Sequence, residues 1–150
     1  MTAITTTEIT AWPVAGEFLQ ALGTRDFEAL QACLRQDVRF RAMVPRGPFE
    51  LTGAAEMAAR FRDWFGDYDV FDVLDAAIGS VGLRLYLRWR LRTGYRDSPQ
   101  DCRVVEQHVF MTANERIDAL DLLCSGFQAE HPAAVPECSG DLPAGPTGSI

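Results

Sequence analysis

Two ionisable side chains capable of acid–base chemistry lie two positions apart in the second half of the chain, Glu106 and His108. On a β-strand, residues two apart leave the same face of the sheet, so a glutamate there can hold the imidazole in place. A histidine held by a carboxylate is a typical general base for moving protons to and from carbon. Glu106 and His108 are therefore the leading catalytic candidates.

A structural interpretation of Glu106 and His108 stays open beside the catalytic one. The alternating pattern of the preceding strand places them on the outer face of a sheet, opposite Arg84, Arg88 and Arg90. Cross-strand charge pairing, or the packing of two such sheets in a homodimer, explains the same residues. A register shift of one residue would exchange the two faces and reverse this interpretation.

A third catalytic candidate is Cys124, because a thiol becomes a nucleophile when a base lies beside it. The competing interpretation is a small apolar residue of the core. The cysteines form no Cys-x-x-Cys pair, and no histidine lies at zinc-ligand spacing. We expect no metal and no cofactor, and we expect reduced thiols.

Composition limits the class of protein. The chain has 150 residues, of which 47% are hydrophobic, and its net charge is -7. This is typical of one globular domain, and the acidic balance argues against binding to nucleic acid. Charged residues interrupt every apolar stretch before the roughly 20 residues that a membrane-spanning helix needs. The first residues lack the basic start of a secretion signal, so we expect a cytoplasmic protein without a membrane partner.

Helical patterns dominate the first half of the chain. Proline suits a first helical turn, so Pro13 predicts the start of the first helix, and Asp26 predicts the cap of the second. Residues 38–44 alternate as a strand does. A third helix, opened by Thr52 or Gly53, carries a buried stripe at helical spacing. Its members are Met57, Phe61, Trp64 and Phe65.

Strand patterns dominate the second half. Strands are predicted over residues 68–78, 83–91, 102–112 and 117–127, and the second of them begins with Leu83 on its buried face. The domain is expected to span residues 13–128. Residues 1–12 are expected to be loose, and the Pro- and Gly-rich residues 129–150 are expected to form a disordered tail.

Three runs of the sequence resemble the nuclear transport factor 2 (NTF2)-like superfamily, in its SnoaL-like branch. They are FLQALGTRDFEALQACLRQDVRF, LTGAAEMAARFRDWF and VVEQHVFMTANERIDALDLL. The resemblance implies an α+β cone, in which a curved, mainly antiparallel sheet covered by three N-terminal helices encloses a pocket for a small hydrophobic molecule. It also implies a cofactor-independent isomerase, cyclase or dehydratase. The alternative is a non-catalytic ligand-binding or dimerisation module with the same fold.

Ketosteroid isomerase, a member of this superfamily, needs a tyrosine, a carboxylate base and a second acid in its pocket. The resemblance places Phe18, Ala42 and Gln107 at those positions, so the chain lacks that enzyme's machinery. The same alignment implies a substrate-binding set on the inner side of the cone. Its members are Phe18, Ala42, Phe61, Trp64, Tyr68, Gln107, Val109 and Leu122.

Overall fold

The structure is a computed structural model that describes residues 6–130. The helices are α1 (Thr6–Thr24), α2 (Phe27–Ala32) and α3 (Ala54–Phe65), with a 3-10 turn at Pro99–Asp101. The strands are β1 (Leu34–Val44), β2 (Gly47–Thr52), β3 (Val70–Val81), β4 (Arg84–Gly94), β5 (Arg103–Ala113), β6 (Ile117–Cys124) and β7 (Gln128–Ala129).

Local sequence signals explain the ends of two helices. The Asp26 side chain accepts a hydrogen bond of 3.0 Å from the Ala29 amide and caps α2 as predicted. Gly53 precedes α3 with a φ of 113°, a left-handed conformation that favours glycine. The predicted stripe of α3 is buried, so the helix packs its apolar face inward as its period requires.

The first helix begins earlier than predicted. α1 starts at Thr6, so Pro13 lies inside the helix and the predicted start at Pro13 is wrong. The physical reason is that proline marks a first turn most strongly, whereas the threonines and isoleucine before it have low helix propensity. The predictions for residues 1–5 and 131–150 lie outside the described residues.

The sheet is mixed and mainly antiparallel, in the spatial order β2, β1, β6, β5, β4, β3, with β7 pairing to β5. Only the pairing of β1 with β6 is parallel among the described strands. The sheet is curved and does not close, and α1, α2 and α3 cover its inner face. This is the expected α+β NTF2-like cone.

The inner face of the cone is filled with aromatic side chains. Phe18 of α1 lies 5.8 Å from Phe61 of α3 and 6.0 Å from Trp89 of β4, measured between ring centroids. Phe40 of β1 stacks on Phe61 at 5.8 Å. All four rings are fully buried, so the hydrophobic effect and dense packing hold the helices on the sheet.

Several strand boundaries differ from those predicted, since β1 begins at Leu34 and not at residue 38, and β3 ends at Val81 and not at residue 78. Leu83 lies in the turn before β4 and is 86% exposed, so the buried face of that strand begins at Leu85. The last predicted strand ends at Cys124, and the chain resumes pairing only at Gln128. Gly126 has a φ of 80° between them, a turn conformation that alternation of side chains does not reveal.

Candidate functional site

Glu106 and His108 form one hydrogen-bonded chain with a tyrosine. The Nε2 atom of His108 lies 2.9 Å from a Glu106 carboxylate oxygen, and its Nδ1 atom lies 2.5 Å from the Tyr86 hydroxyl. With its proton on Nε2, the imidazole donates to Glu106 and accepts from Tyr86. We call Glu106, His108 and Tyr86 the relay. Its geometry suits transfer of a proton from the phenol to the imidazole.

The strand register positions the relay on the outer face of the sheet. Arg90 lies opposite Glu106 and Arg88 lies opposite His108, as predicted. Tyr86 projects from the same face of β4, diagonally across from His108, and the two rings stack 5.8 Å apart. Sequence reasoning missed Tyr86, although its alternation with the arginines already placed it on this face.

Two ion pairs border the relay. The Arg90 guanidinium lies 3.6 Å from Glu106, and the Arg88 guanidinium donates a 2.9 Å hydrogen bond to Asp75. The Arg88 guanidinium is thus paired with a carboxylate of β3. The Glu106 side chain is 41% exposed and that of His108 is 31% exposed. The relay is therefore open to solvent and to a small molecule.

An open groove of about 450 Å³ lies beside the relay on the outer face. Its wall includes Phe110, whose ring lies 5.2 Å from that of Tyr86, and Leu123, which is the cross-strand partner of His108. Met43 and Leu123 are about half exposed. The remaining lining comes from Arg41, Ala42, Pro48, Phe49, Glu50, Arg84, Asp121 and Leu122.

A carboxylate joins two guanidinium groups at the edge of this groove. Asp121 accepts two hydrogen bonds from Arg41, at 2.7 and 2.8 Å, and one from Arg84 at 2.6 Å. These donors lower the pKa of Asp121 from 3.8 to about 2. The carboxylate is therefore ionised across the physiological range, and the two arginines are fixed over the sheet.

On the inner face, Gln107 is fully buried and its amide group is satisfied. Its oxygen accepts a 2.8 Å hydrogen bond from the Trp89 indole nitrogen, and its nitrogen donates to the Cys124 sulfur at 3.2 Å. The Gly126 amide also donates to that sulfur at 3.4 Å. Burial raises the pKa of the Cys124 thiol. Within residues 6–130 no base contacts the thiol, an environment typical of a core cysteine.

The predicted substrate-binding residues lie apart from the relay. Most are buried on the inner face: Phe18, Phe61, Trp64 and Val109 belong to the core, and Tyr68 packs at its edge. Ala42 and Leu122 are also buried there and form the floor of the outer groove. Apart from Ala42 and Leu122, the inward set and the relay lie on opposite faces of the sheet. Their role as a substrate-binding set stays a prediction.

The described residues provide no cluster of three or more potential metal ligands. The part of the chain that the structure covers also has no helix long and apolar enough to cross a membrane.

Comparison with known proteins assigns the chain first to a fold class and then to a family. A search of solved structures returns, among its first matches, two proteins described as NTF2-like. The family model of the SnoaL-like domain matches residues 15–119. The chain belongs to the SnoaL-like family. A search of curated protein sequences returns no match.

Three solved structures illustrate the likeness. A candidate polyketide cyclase of Xanthomonas campestris has 16% identity and a TM-score of 0.61, covering 79% of this chain and 92% of its own. An LEH-like epoxide hydrolase of M. tuberculosis has 16% identity and a TM-score of 0.57, over 78% and 84%. An NTF-2 like protein of unknown function from Burkholderia xenovorans has 16% identity and a TM-score of 0.58, over 87% and 91%. At this identity the likeness shows the fold alone.

Proposed function

We propose that the protein is a cofactor-independent SnoaL-like enzyme that isomerises, cyclises or dehydrates a small hydrophobic molecule by proton transfer. The observation that carries this proposal is the relay beside an apolar groove. Both parts are needed. Without the groove the substrate is not held near the base, and without the relay the groove contains no group that transfers protons.

The relay assigns a role to each of its members. The Tyr86 oxygen takes a proton from a carbon of the bound molecule while its own hydroxyl proton passes to Nδ1 of His108. Glu106 stabilises the imidazolium that forms, as the carboxylate does in a Ser-His-Asp triad. The proton then returns through Tyr86 to a different carbon. Isomerisation by this route balances without a co-reactant.

Deuterium exchange tests the proposal without knowledge of the natural substrate. The probe is 2-tetralone, an apolar bicyclic ketone with acidic hydrogens next to its carbonyl, in D₂O and followed by NMR. We expect wild-type protein to exchange these hydrogens faster than buffer. Tyr86→Phe should reduce the enhancement at least tenfold, and Glu106→Gln should reduce it less because the histidine remains.

Asp72→Asn is the matched control, since Asp72 is a carboxylate that pairs with Arg92, which does not lie opposite a member of the relay. It should exchange the probe as the wild type does. Wild-type protein that exchanges the probe no faster than buffer would contradict the proposal, as would equal rates for wild type and Tyr86→Phe.

The alternative function is a non-catalytic binding or dimerisation module. The observation that favours it is the half-exposed pair Met43 and Leu123 among paired charges, a composition typical of a protein interface. The protein would then form a homodimer through the outer face of the sheet and cover the relay. Sedimentation tests the dimerisation form of this alternative: a dimer that Leu123→Glu converts to a monomer supports it, and a wild-type monomer excludes it.

We also propose a cytoplasmic location. Its support is that Cys33, Cys102 and Cys124, the cysteines among the described residues, are free thiols, as is usual in a reducing compartment.

A further inference from the structure

We infer that the free edge of β3 is a dimerisation surface. Residues 75–81 pair antiparallel with the same residues of a second copy of this chain, about a two-fold axis through Ile78. The two sheets then form one continuous sheet. This surface is not the outer face of the sheet, so the inference goes beyond the proposed function and leaves the relay and the groove open.

The strand β3 lies at one end of the sheet. It pairs with β4, and no other strand within residues 6–130 pairs with it. In an antiparallel pair, the N–H and C=O groups of every second residue point away from the partner strand, and at an edge they remain available for another chain. A bulge interrupts the register between Val73 and Asp75. From Asp75 onward the register with β4 is regular, which leaves roughly 24 Å of straight edge.

The inner side of this edge carries apolar surface that the helices leave uncovered. Ile78 is 39% exposed, whereas Leu87, its cross-strand partner on β4, is fully buried. Ala76 is likewise exposed opposite the fully buried Trp89. The helical cover therefore ends before this part of β3, and a strand placed beside it would bury Ile78.

The charges of residues 75–81 do not oppose pairing with a second copy. Edge strands that remain single are usually protected by lysine, proline or an inward-pointing charge. The segment DAAIGSV contains none of these. Its one charged side chain, Asp75, lies on the outer face opposite Arg90 and forms a 2.9 Å ion pair with Arg88 of the same sheet. No free charge on this segment therefore meets the second copy.

The other end of the sheet differs in these respects. The strand β2 has only six residues, and they include Pro48, which has no N–H group, and the charged Glu50. Such a strand is typical of a protected edge. Pairing of β3 with β2 of another copy would also be head-to-tail and would generate open filaments, whereas pairing of β3 with β3 is self-complementary and closes as a dimer. The fitting occupant is therefore the same strand of a second copy.

A two-fold axis through Ile78 places compatible side chains opposite each other. Ile78 faces the same residue of the second copy, so the two exposed apolar side chains cover one another. The other facing pairs are Asp75 with Val81, Ala76 with Ser80, and Ala77 with Gly79. No carboxylate lies directly opposite another. The contact is short compared with a standard interface, so the dimer dissociates on dilution.

Disulfide trapping tests the register. Residues directly opposite each other on antiparallel strands have Cα atoms roughly 4.5 to 5.5 Å apart, within the range of a disulfide. Ile78→Cys should therefore form a covalent dimer under mild oxidation, measured by non-reducing gel electrophoresis against the background of the wild-type cysteines. Ala76→Cys is the matched control on the same side of β3. Its two copies would lie roughly 14 Å apart along the strands and should not crosslink.

Sedimentation over a range of protein concentrations tests the edge itself. Wild-type protein should associate reversibly to a dimer. Ile78→Lys places two like charges together on the two-fold axis and should weaken the association at least about tenfold. Leu83→Lys makes the same change at an exposed residue outside the segment and should leave it intact, as should Leu123→Glu on the outer face. Circular dichroism verifies that each variant is folded.

Three results would overturn the inference. The first is a wild-type protein that stays monomeric at every concentration, as it would if another part of the chain covered the edge. The second is a dimer that Leu123→Glu dissociates and Ile78→Lys does not, which would place the contact on the outer face. The third is equal crosslinking of Ala76→Cys and Ile78→Cys, which would exclude a two-fold axis at Ile78.

Discussion

Gln107 is a neutral side chain inside the cone, so it does not supply the acid–base chemistry of ketosteroid isomerase. The amide occupies the position that the resemblance gives to an acid, and both its polar ends bind neighbours, Trp89 and Cys124. A buried polar group that is satisfied in this way stabilises the core and has little capacity left for a ligand. The proposed function therefore assigns acid–base chemistry to the opposite side of β5, where Glu106 and His108 lie.

The Gln107 contacts predict a stability effect. Gln107→Leu should lower the free energy of unfolding by about 1 to 3 kcal/mol, because it leaves the buried Trp89 indole N–H without a partner. Urea denaturation measures the change. Gln31→Leu, at an exposed position of α2, serves as the control. If both variants unfold at the same urea concentration, the hydrogen bond from Trp89 does not stabilise the fold.

The facing of some residues could be predicted from the sequence, whereas their contacts across strands could not. The outward face of Glu106 and His108 followed from alternation alone, because side chains of a strand change sides at every residue. Tyr86 could not be joined to them, since its contact with His108 depends on the pairing of β4 with β5. The role of Asp121 required the parallel pairing of two strands that are 80 positions apart at Arg41.

At the scale of elements, the helices could be predicted from short-range sequence signals, whereas the order of strands in the sheet depends on long-range pairing. The α2 cap and the α3 stripe could be predicted because each depends on residues within a few positions. The parallel pairing of β1 with β6 could not, because nothing local distinguishes a parallel partner from an antiparallel one. That pairing also creates the groove, whose floor is Ala42 and Leu122.

The cap of α2 predicts an effect confined to one element. Asp26→Ala should destabilise the protein by about 1 kcal/mol, since the Ala29 amide loses its hydrogen bond and the first turn of α2 loses its acceptor. Thermal unfolding followed by circular dichroism measures it. Glu28→Ala changes a carboxylate of the same turn that is not the cap and should cost less. Equal losses of stability in the two variants would mean that negative charge near the helix terminus stabilises α2 and that the capping hydrogen bond does not.

At the scale of the molecule, the ion pairs of the outer face connect strands that are distant in sequence. Asp121 on β6 forms ion pairs with Arg41 on β1 and Arg84 on β4, so one carboxylate links three strands. Its pKa of about 2 in the folded state lies below the ordinary value of 3.8. Because the folded state favours the ionised form, this stabilisation is present above pH 4 and is lost as the pH falls toward 2.

Asp121→Asn should therefore lower the free energy of unfolding by about 1 to 2 kcal/mol at pH 7. The difference from wild type should shrink as the pH falls from 4 toward 2, where the wild-type carboxyl becomes protonated. Urea denaturation across that range measures it. Asp75→Asn, which removes a single and more exposed ion pair, should have a smaller effect. A difference independent of pH would show that the Asp121 charge is not responsible.

The proposed function requires small molecules to bind to the outer face of the sheet and not inside the cone. Met43 and Leu123 are about half exposed and line the outer groove. Val109 and Met111 are buried inside the cone and do not line that groove. Methyl NMR spectra recorded with increasing 2-tetralone measure the response of each side. We expect shifts at the Met43 and Leu123 methyl groups that exceed those at Val109 and Met111. Larger shifts at Val109 and Met111, joined by the indole N–H of Trp89, would contradict the proposed function.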